Sequence, residues 1–431
     1  MNTDPLVAAE KRHIWHPFTQ MKAWCAPDHD PIVLVEGQGA ILWDRHGREY
    51  IDGNSSIWTN IHGHNHPAIN AAIKSQLDKV AHVSFLGSTN VPAIELAEKL
   101  AGRFPPRTLT RTFYSDDGST AVEVAVKMAL QYWQLRGRPE KTRFLAFENA
   151  YHGDTTGASS LGGLGTFTSR FAAIHFPVER AANLEAISSR DPDRLAAVVI
   201  EPLVQGAAGI RLWPPGMLAS LRAWCNAHDV LLIFDEVLTA FGRTGRLFAC
   251  EHENVLPDFL CLAKGLTGGY LPLAATLTTE SIYDAFLGEY HELKTFFYGH
   301  SYCGNPLGCA AALANLEIFE EENTLETLKE KIVFLRDLLG GLRTLVNVGE
   351  IRQCGLIVGI EIQRDSGRPF PWQEEVGARV CAAARKYGLL TRPILDTIIL
   401  MPPLCTTRPQ LERATEAIQR AIQEVCEGQH Q

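Results

Sequence analysis

At 431 residues the chain is long enough to bury a large core and to form two or three domains or subdomains. A hydrophobic content of 46% and a charged content of 21% describe an ordinary globular protein, and a net charge of −9 with no basic block argues against nucleic acid as the main partner. No apolar run reaches the roughly 18 residues that a membrane-spanning helix needs.

The start, Met1-Asn2-Thr3-Asp4-Pro5, has no basic segment followed by an apolar core, so no secretory signal is expected. The cysteines are scattered from Cys25 to Cys426 without a Cys-x-x-Cys pair. That pattern fits reduced, mostly buried thiols and a cytoplasmic location. His62-Gly63-His64-Asn65-His66 is the most metal-like cluster, but no cysteine or carboxylate completes a ligand spacing, so no metal is expected.

Residues 1 to about 60 mix aromatic and polar residues without sustained period. Trp15, Phe18 and Trp24 lie too close together for a solvated tail, so this segment is expected to pack on a pocket or a partner subunit. Residues 32–37 and 40–44 read as hairpin strands around Gly37-Gln38-Gly39, and Pro67 opens an amphipathic helix through Leu77. From Thr110 strands and helices alternate. Strands are expected over 111–115, 143–147, 196–200, 230–234, 259–263 and 273–278, with a helix from Leu218 to His228. Repeated strand–helix units with apolar strands imply a mostly parallel sheet covered on both faces. Asn305 to about Leu342 reads as one strongly helical stretch. Strands near 355–362, 389–392 and 397–401 and helices near 373–387 and 408–425 then suggest a small α+β domain.

Two strand ends carry the chemistry. One apolar run delivers Asp235 and the next delivers Lys264 ahead of Gly265. Charged residues at such ends sit at the carboxyl edge of a parallel sheet, where ligands bind. A carboxylate beside a lysine suits pyridoxal phosphate, whose ring nitrogen is basic and whose aldehyde takes an amine; a plain buried ion pair is the competing reading of these two residues alone. In the turn Asp117-Gly118-Ser119-Thr120, Gly118 lets backbone N–H groups approach an anion and Ser119 adds a hydroxyl. A helix N-terminus there favours negative charge. The same run carries a capping-box spacing, Thr120-x-x-Glu123. Tyr151 stands beyond a strand end, where its ring could cover a planar cofactor. Arg392 is a candidate clamp for a substrate carboxylate, and a surface role fits it equally well. Arg243, in a glycine-punctuated turn, is either structural or an anion guide.

In order, Asp117-Gly118-Ser119, Tyr151-His152-Gly153-Asp154, Glu201-Pro202, Asp235-Glu236, Gly242-Arg243-Thr244-Gly245 and Lys264-Gly265 resemble the motifs of the class III aminotransferases, and the likeness covers nearly the whole chain. Within that class, residues 15–21, 52–58, 61–64, 127–133 and Arg392-Pro393 resemble the biotin-pathway branch that aminates 8-amino-7-oxononanoate. The resemblance implies a fold-type I, α/β pyridoxal-phosphate transferase, with a large mostly parallel sheet domain and a small α+β domain built from both termini. It implies residues 1–60 as the N-terminal part of the small domain with an active-site segment, 61–330 as the large cofactor-binding domain, and 331–431 as the C-terminal small domain.

It further implies catalytic roles for Lys264, Asp235 and Tyr151, with Gly118, Ser119, Tyr151, Asp235, Lys264 and Ser301 holding the cofactor. Trp58, Phe18 and Arg392 would meet substrate. The family pattern is a homodimer with shared sites, in which Ser301 reaches the other protomer's cofactor phosphate, acting on a small-molecule donor and keto acceptor. The donor is S-adenosylmethionine in one branch and lysine in another. The first branch tends to carry Tyr at the place of Phe18, Trp at that of Ile57 and Tyr near Ile399, and this chain departs at each. Another class III activity on ω-amino acids or 4-aminobutyrate, or a non-catalytic relative of the fold, is the alternative.

Overall fold

The computed structural model describes residues 4–426. Its largest sheet has seven strands, in the spatial order Leu109–Ser115, Ala274–Thr279, Phe259–Leu262, Leu231–Asp235, Leu195–Ile200, Arg143–Phe147 and Val178–Ala181. Ala274–Thr279 runs antiparallel to both of its neighbours, while the pairings from Phe259–Leu262 to Val178–Ala181 are parallel. The expected α/β architecture with a mostly parallel sheet is therefore present.

The central strand shows why these residues form such a sheet. Leu231–Asp235 is buried throughout and splits its side chains by period two. Leu232 and Phe234 enter one core with Leu260, Leu262 and Phe248. Leu231 and Ile233 enter the other, with Ala121, Val122, Ala125 and Ala129 of the helix Gly118–Leu135. Both faces are covered, so no polar residue is tolerated until the strand leaves the sheet at Asp235.

Two smaller four-stranded sheets flank it. One joins Leu34–Gln38, Ile41–Asp44 and Glu49–Asp52 to Leu389–Leu390, which pairs parallel to Glu49–Asp52 across more than three hundred residues of chain. The other contains Val348–Cys354, Ile357–Ile362, Thr397–Leu400 and Pro393–Ile394. The C-terminal helix Arg408–Cys426 buries Leu411, Ile418 and Ile422 in the main core.

Several local expectations need correction. The stretch from Asn305 is two helices, Pro306–Glu321 and Thr324–Leu342, because Asn323 turns left-handed (φ 48°) between them. The N-cap of the helix Gly118–Leu135 is Asp117, and its capping box pairs Asp117 with Thr120. Glu123 instead accepts from the Thr155 hydroxyl and from the Gly157 N–H, each at 2.7 Å. Helices at Pro5–His13 and Val91–Ala101 and the edge strand Val178–Ala181 go beyond the sequence reading.

Candidate active site

A cavity of about 760 Å³ opens at the carboxyl edge of the large sheet, lined among others by Phe18, Trp58, Gly118, Ser119, Tyr151, Asp235, Lys264 and Arg392. Eight of the nine residues given a cofactor or substrate role from the sequence thus line one space. Ser301 is exposed and does not line it.

Sheet register brings the central pair together. Asp235 pairs in register with Cys261 of the neighbouring parallel strand, and Lys264 follows three residues later. Lys264 begins a tight turn, Lys264–Thr267, and itself adopts a left-handed backbone (φ 43°). Desolvation pulls its ammonium below the ordinary lysine range, with Asp235 and Glu201 acting in the opposite sense. Its Nζ stands 4.7 Å from the centroid of the Trp58 ring.

Asp235 is 5% exposed and its carboxylate is fixed at both oxygens: Oδ1 accepts from the Val237 N–H at 3.1 Å, and Oδ2 lies 2.8 Å from His152 Nδ1. Burial alone would lower the His152 pKa, but the hydrogen bond and charge of Asp235 outweigh it and raise the pKa above the ordinary histidine value. Glu201 ends the strand Leu195–Ile200 as Asp235 ends its own. It accepts from the N–H groups of Tyr151 (3.1 Å) and Gly206 (2.9 Å). Burial, with the charge of Asp235 in the same sense, pushes its carboxyl up to about 7.

At the helix end, Asp117 caps the Thr120 N–H at 3.0 Å and leaves Gly118 and Ser119 facing the cavity. Ser119 Oγ accepts from the Asp154 N–H at 3.1 Å. The loop after Tyr151 comes so close that a Cβ on Gly153 (φ 118°) would lie 2.0 Å from Ser119 Oγ. Tyr151 donates its hydroxyl to Asp154 at 2.7 Å and sets its ring edge-on to Phe167. Phe18 also meets Phe167 edge-on, with ring centroids 5.6 Å apart.

Ser55, Ser56, Ile57 and Trp58 all have positive φ, from 45° to 98°. Such a run persists only where surroundings enforce it, and it is a mark of functional sites. Here Asp52 accepts from the Asn54 and Ser56 N–H groups, the Ser55 hydroxyl bonds the Met401 carbonyl at 2.7 Å, and the Trp58 indole N–H donates to Asn54 Oδ1 at 2.8 Å. Arg392 is exposed at the rim, and among the described residues it pairs with no carboxylate.

Arg243 proves structural. It is fully buried, lies outside the cavity lining, and donates to the carbonyls of Pro402 (2.8 Å) and Asn60 (2.6 Å). The three histidines of the 62–66 run have different partners: the Asn315 carbonyl for His62, Asp52 for His64 and Glu322 for His66.

His152, Glu201 and Asn54 are the site residues to which the sequence reading gave no role of their own, although the first two fall within its motifs. Glu201 was within reach, since it ends an apolar strand as Asp235 does. Nothing local announces that His152 meets a carboxylate 83 residues away.

A parallel α/β sheet whose carboxyl edge presents a lysine, a fixed carboxylate and a helix N-terminus to one cavity is the architecture of an aminotransferase. Residues 24–422 match the family Aminotransferase class-III, and the chain belongs to that family, a pyridoxal-phosphate-dependent one. It is 46% identical over 452 aligned positions to the adenosylmethionine-8-amino-7-oxononanoate aminotransferase of Geobacter sulfurreducens, covering 99% of each chain. To the enzyme of the same name from Aquifex aeolicus it is 45% identical, covering 96% of each. The crystal structure of the Methanocaldococcus jannaschii adenosylmethionine-8-amino-7-oxononanoate aminotransferase superposes with a TM-score of 0.94 at 42% identity, over 97% of this chain and 99% of that one. An (S)-enantioselective omega-transaminase from Thermomicrobium roseum gives 0.92 at 32% identity, over 99% of each.

Proposed function

We propose that this chain transfers an amino group to 8-amino-7-oxononanoate, giving 7,8-diaminononanoate for biotin synthesis, and that pyridoxal phosphate is its resident cofactor. The observation that carries the cofactor assignment is the donor set around one cavity: a desolvated lysine, a doubly anchored buried carboxylate and an anion-accepting helix end. The substrate assignment rests on the full-length relatives of that name.

The residues present fit the cofactor. Gly118 and Ser119, at the N-terminus of an 18-residue helix, would hold its phosphate. Asp235 would keep the ring nitrogen protonated, with Tyr151 covering the ring. When bound, the cofactor supplies an electron sink for charge developing at the substrate Cα. The chain supplies the rest. Desolvation raises the share of free amine at Lys264 Nζ, which suits it to attack an aldehyde and then to take and return the Cα proton. His152 holds Asp235 in place through its bond to Oδ2. Arg392, at the rim and without a carboxylate partner among the described residues, would clamp the acceptor's carboxylate, with Trp58 and Phe18 also lining the cavity. Ser301 is exposed away from its own chain's cavity, which supports a homodimer in which it serves the other protomer's phosphate site.

The residue boundaries 1–60, 61–330 and 331–431 and a cytoplasmic location are part of the same reading. The buried thiols of Cys225, Cys250 and Cys261 accord with the latter. Among the described residues no helix is long and apolar enough to cross a membrane.

The relatives' names favour S-adenosylmethionine as donor. Lysine is the second reading, because Phe18, Ile57 and Ile399 line the cavity without hydroxyl groups. Purified enzyme given 8-amino-7-oxononanoate with each donor separately should form the diamine with one of them. No diamine with either, alongside rapid turnover of an ω-amino acid with pyruvate, would overturn the assignment.

A further inference from the structure

Asn315 stands on the helix Pro306–Glu321, eleven of whose residues are buried, and is itself 0% exposed. Its side-chain amide donates to the carbonyl of Gly265 at 3.0 Å and to that of Leu266 at 3.1 Å. Those are the first two residues after Lys264, within the turn Lys264–Thr267. The Gly265 carbonyl already accepts from the Gly268 N–H at 3.0 Å, so Asn315 doubles the hold on that atom. A buried helix is thereby tied to the turn that keeps Lys264 left-handed at φ 43°.

The other half of the amide is unusual. Asn315 Oδ1 is buried with no hydrogen-bond partner among the described residues, and a Cβ on Gly268 would lie 3.0 Å from it. An orphaned buried acceptor is costly, and an apolar side chain of similar size would avoid that cost. Packing alone therefore does not account for an asparagine here. What only the amide offers is a pair of donors in one plane, aimed at two successive carbonyls. The adjoining titratable group, His62, bonds the backbone carbonyl of Asn315 at 3.1 Å through Nε2, so that nitrogen carries the proton and leaves the side chain of Asn315 untouched.

We propose that Asn315 is a positioning residue for Lys264: its two hydrogen bonds fix the turn that aims Nζ into the cavity. The proposal rests on the role given to Lys264 above. It touches neither substrate nor cofactor, and it acts only through the backbone of residues 265 and 266.

The test uses two variants. Asn315→Asp keeps the shape but, when ionised, turns an oxygen toward both carbonyls. Asn315→Leu removes both bonds and also the orphaned oxygen. In each, kcat should fall on the order of 10- to 100-fold, the cost of misplacing a reacting atom by about an ångström. KM for the donor should stay within about twofold, since ground-state binding is untouched. In the cofactor-free protein, competitive acetylation of Lys264 across pH, read by peptide mass spectrometry, should show an altered Nζ reactivity, with the other lysines unchanged. If one variant fails to fold, the other decides. Parental kcat in a folded variant, or a lower kcat with unchanged Lys264 acetylation, overturns the proposal. Lys264→Ala separates the two levels. Retention of a borohydride-reducible covalent link between cofactor and protein in that variant would strike the Lys264 assignment itself. Its loss, with Asn315 variants behaving as the parent, would strike only Asn315.

Discussion

Replacing Asp235 by asparagine removes one charge from the cavity floor while keeping the shape of the side chain. Two bonds hold the carboxylate, from the Val237 N–H and with His152 Nδ1. The amide oxygen can keep the first. The amide nitrogen must donate toward His152 Nδ1, which only a neutral histidine accepts. In the parent, Asp235 raises the His152 pKa against the effect of burial. In the variant burial dominates, so His152 should titrate below its ordinary value instead of above it. For the cofactor, a charge pair about 4 Å apart at an effective dielectric near 20 is worth about 4 kcal/mol. A hydrogen bond of about 1 kcal/mol survives in the amide. The difference, about 3 kcal/mol, corresponds to a loss of turnover on the order of 100-fold. Single-turnover rates with the amino donor and an NMR titration of His152 read the two effects separately. Turnover within about threefold of the parent would mean that the ring-nitrogen partner is a different carboxylate, and a His152 titration that does not move would mean that Asp235 does not raise the His152 pKa.

Arg392→Ala should raise KM for the oxononanoate acceptor by on the order of 10- to 100-fold, the loss of about 1.5–3 kcal/mol expected for a charge-assisted bond; steady-state kinetics with varied acceptor reads this, and kcat with the donor half-reaction alone should be unchanged. Gly153→Ala sets a Cβ against Ser119 Oγ at a backbone angle that side chains rarely adopt, so cofactor affinity, measured by equilibrium dialysis, should fall markedly. His62 is buried as the neutral form, its pKa lowered to about 3 chiefly by desolvation. Its contribution is complete above the unfolded value of 6.5 and is lost as pH falls, because the unfolded chain then binds the extra proton. Between pH 6.5 and 5 that loss is about 2 kcal/mol. Urea unfolding of His62→Gln should therefore depend on pH less steeply than that of the parent over this interval, and equal slopes would refute the assignment.

What was legible in the sequence was set by local rules. The strand Leu231–Asp235 must be apolar on both faces until it leaves the sheet, so its boundary and its terminal carboxylate can be read directly from the chain. The same holds for Lys264 and for the capped helix at Gly118. What was not legible depends on the approach of segments far apart in the chain. His152 is defined by Asp235, Asn315 by the turn after Lys264, and Arg243 by carbonyls at Asn60 and Pro402. The left-handed run at 55–58 has no glycine to announce it, because its hydrogen bonds rather than its residue types enforce it. The break at Asn323 was hidden because it falls inside the polar run Glu320-Glu321-Glu322-Asn323-Thr324, with no glycine or proline to mark it.

The proposed chemistry depends on Lys264 as the residue that binds the cofactor covalently. Reducing the holoenzyme with borohydride, digesting it and mapping the peptides tests this most directly. The added mass of one pyridoxyl phosphate should appear on the peptide containing Lys264, fixed at its Nζ. That mass on any other lysine, or on none, would contradict it.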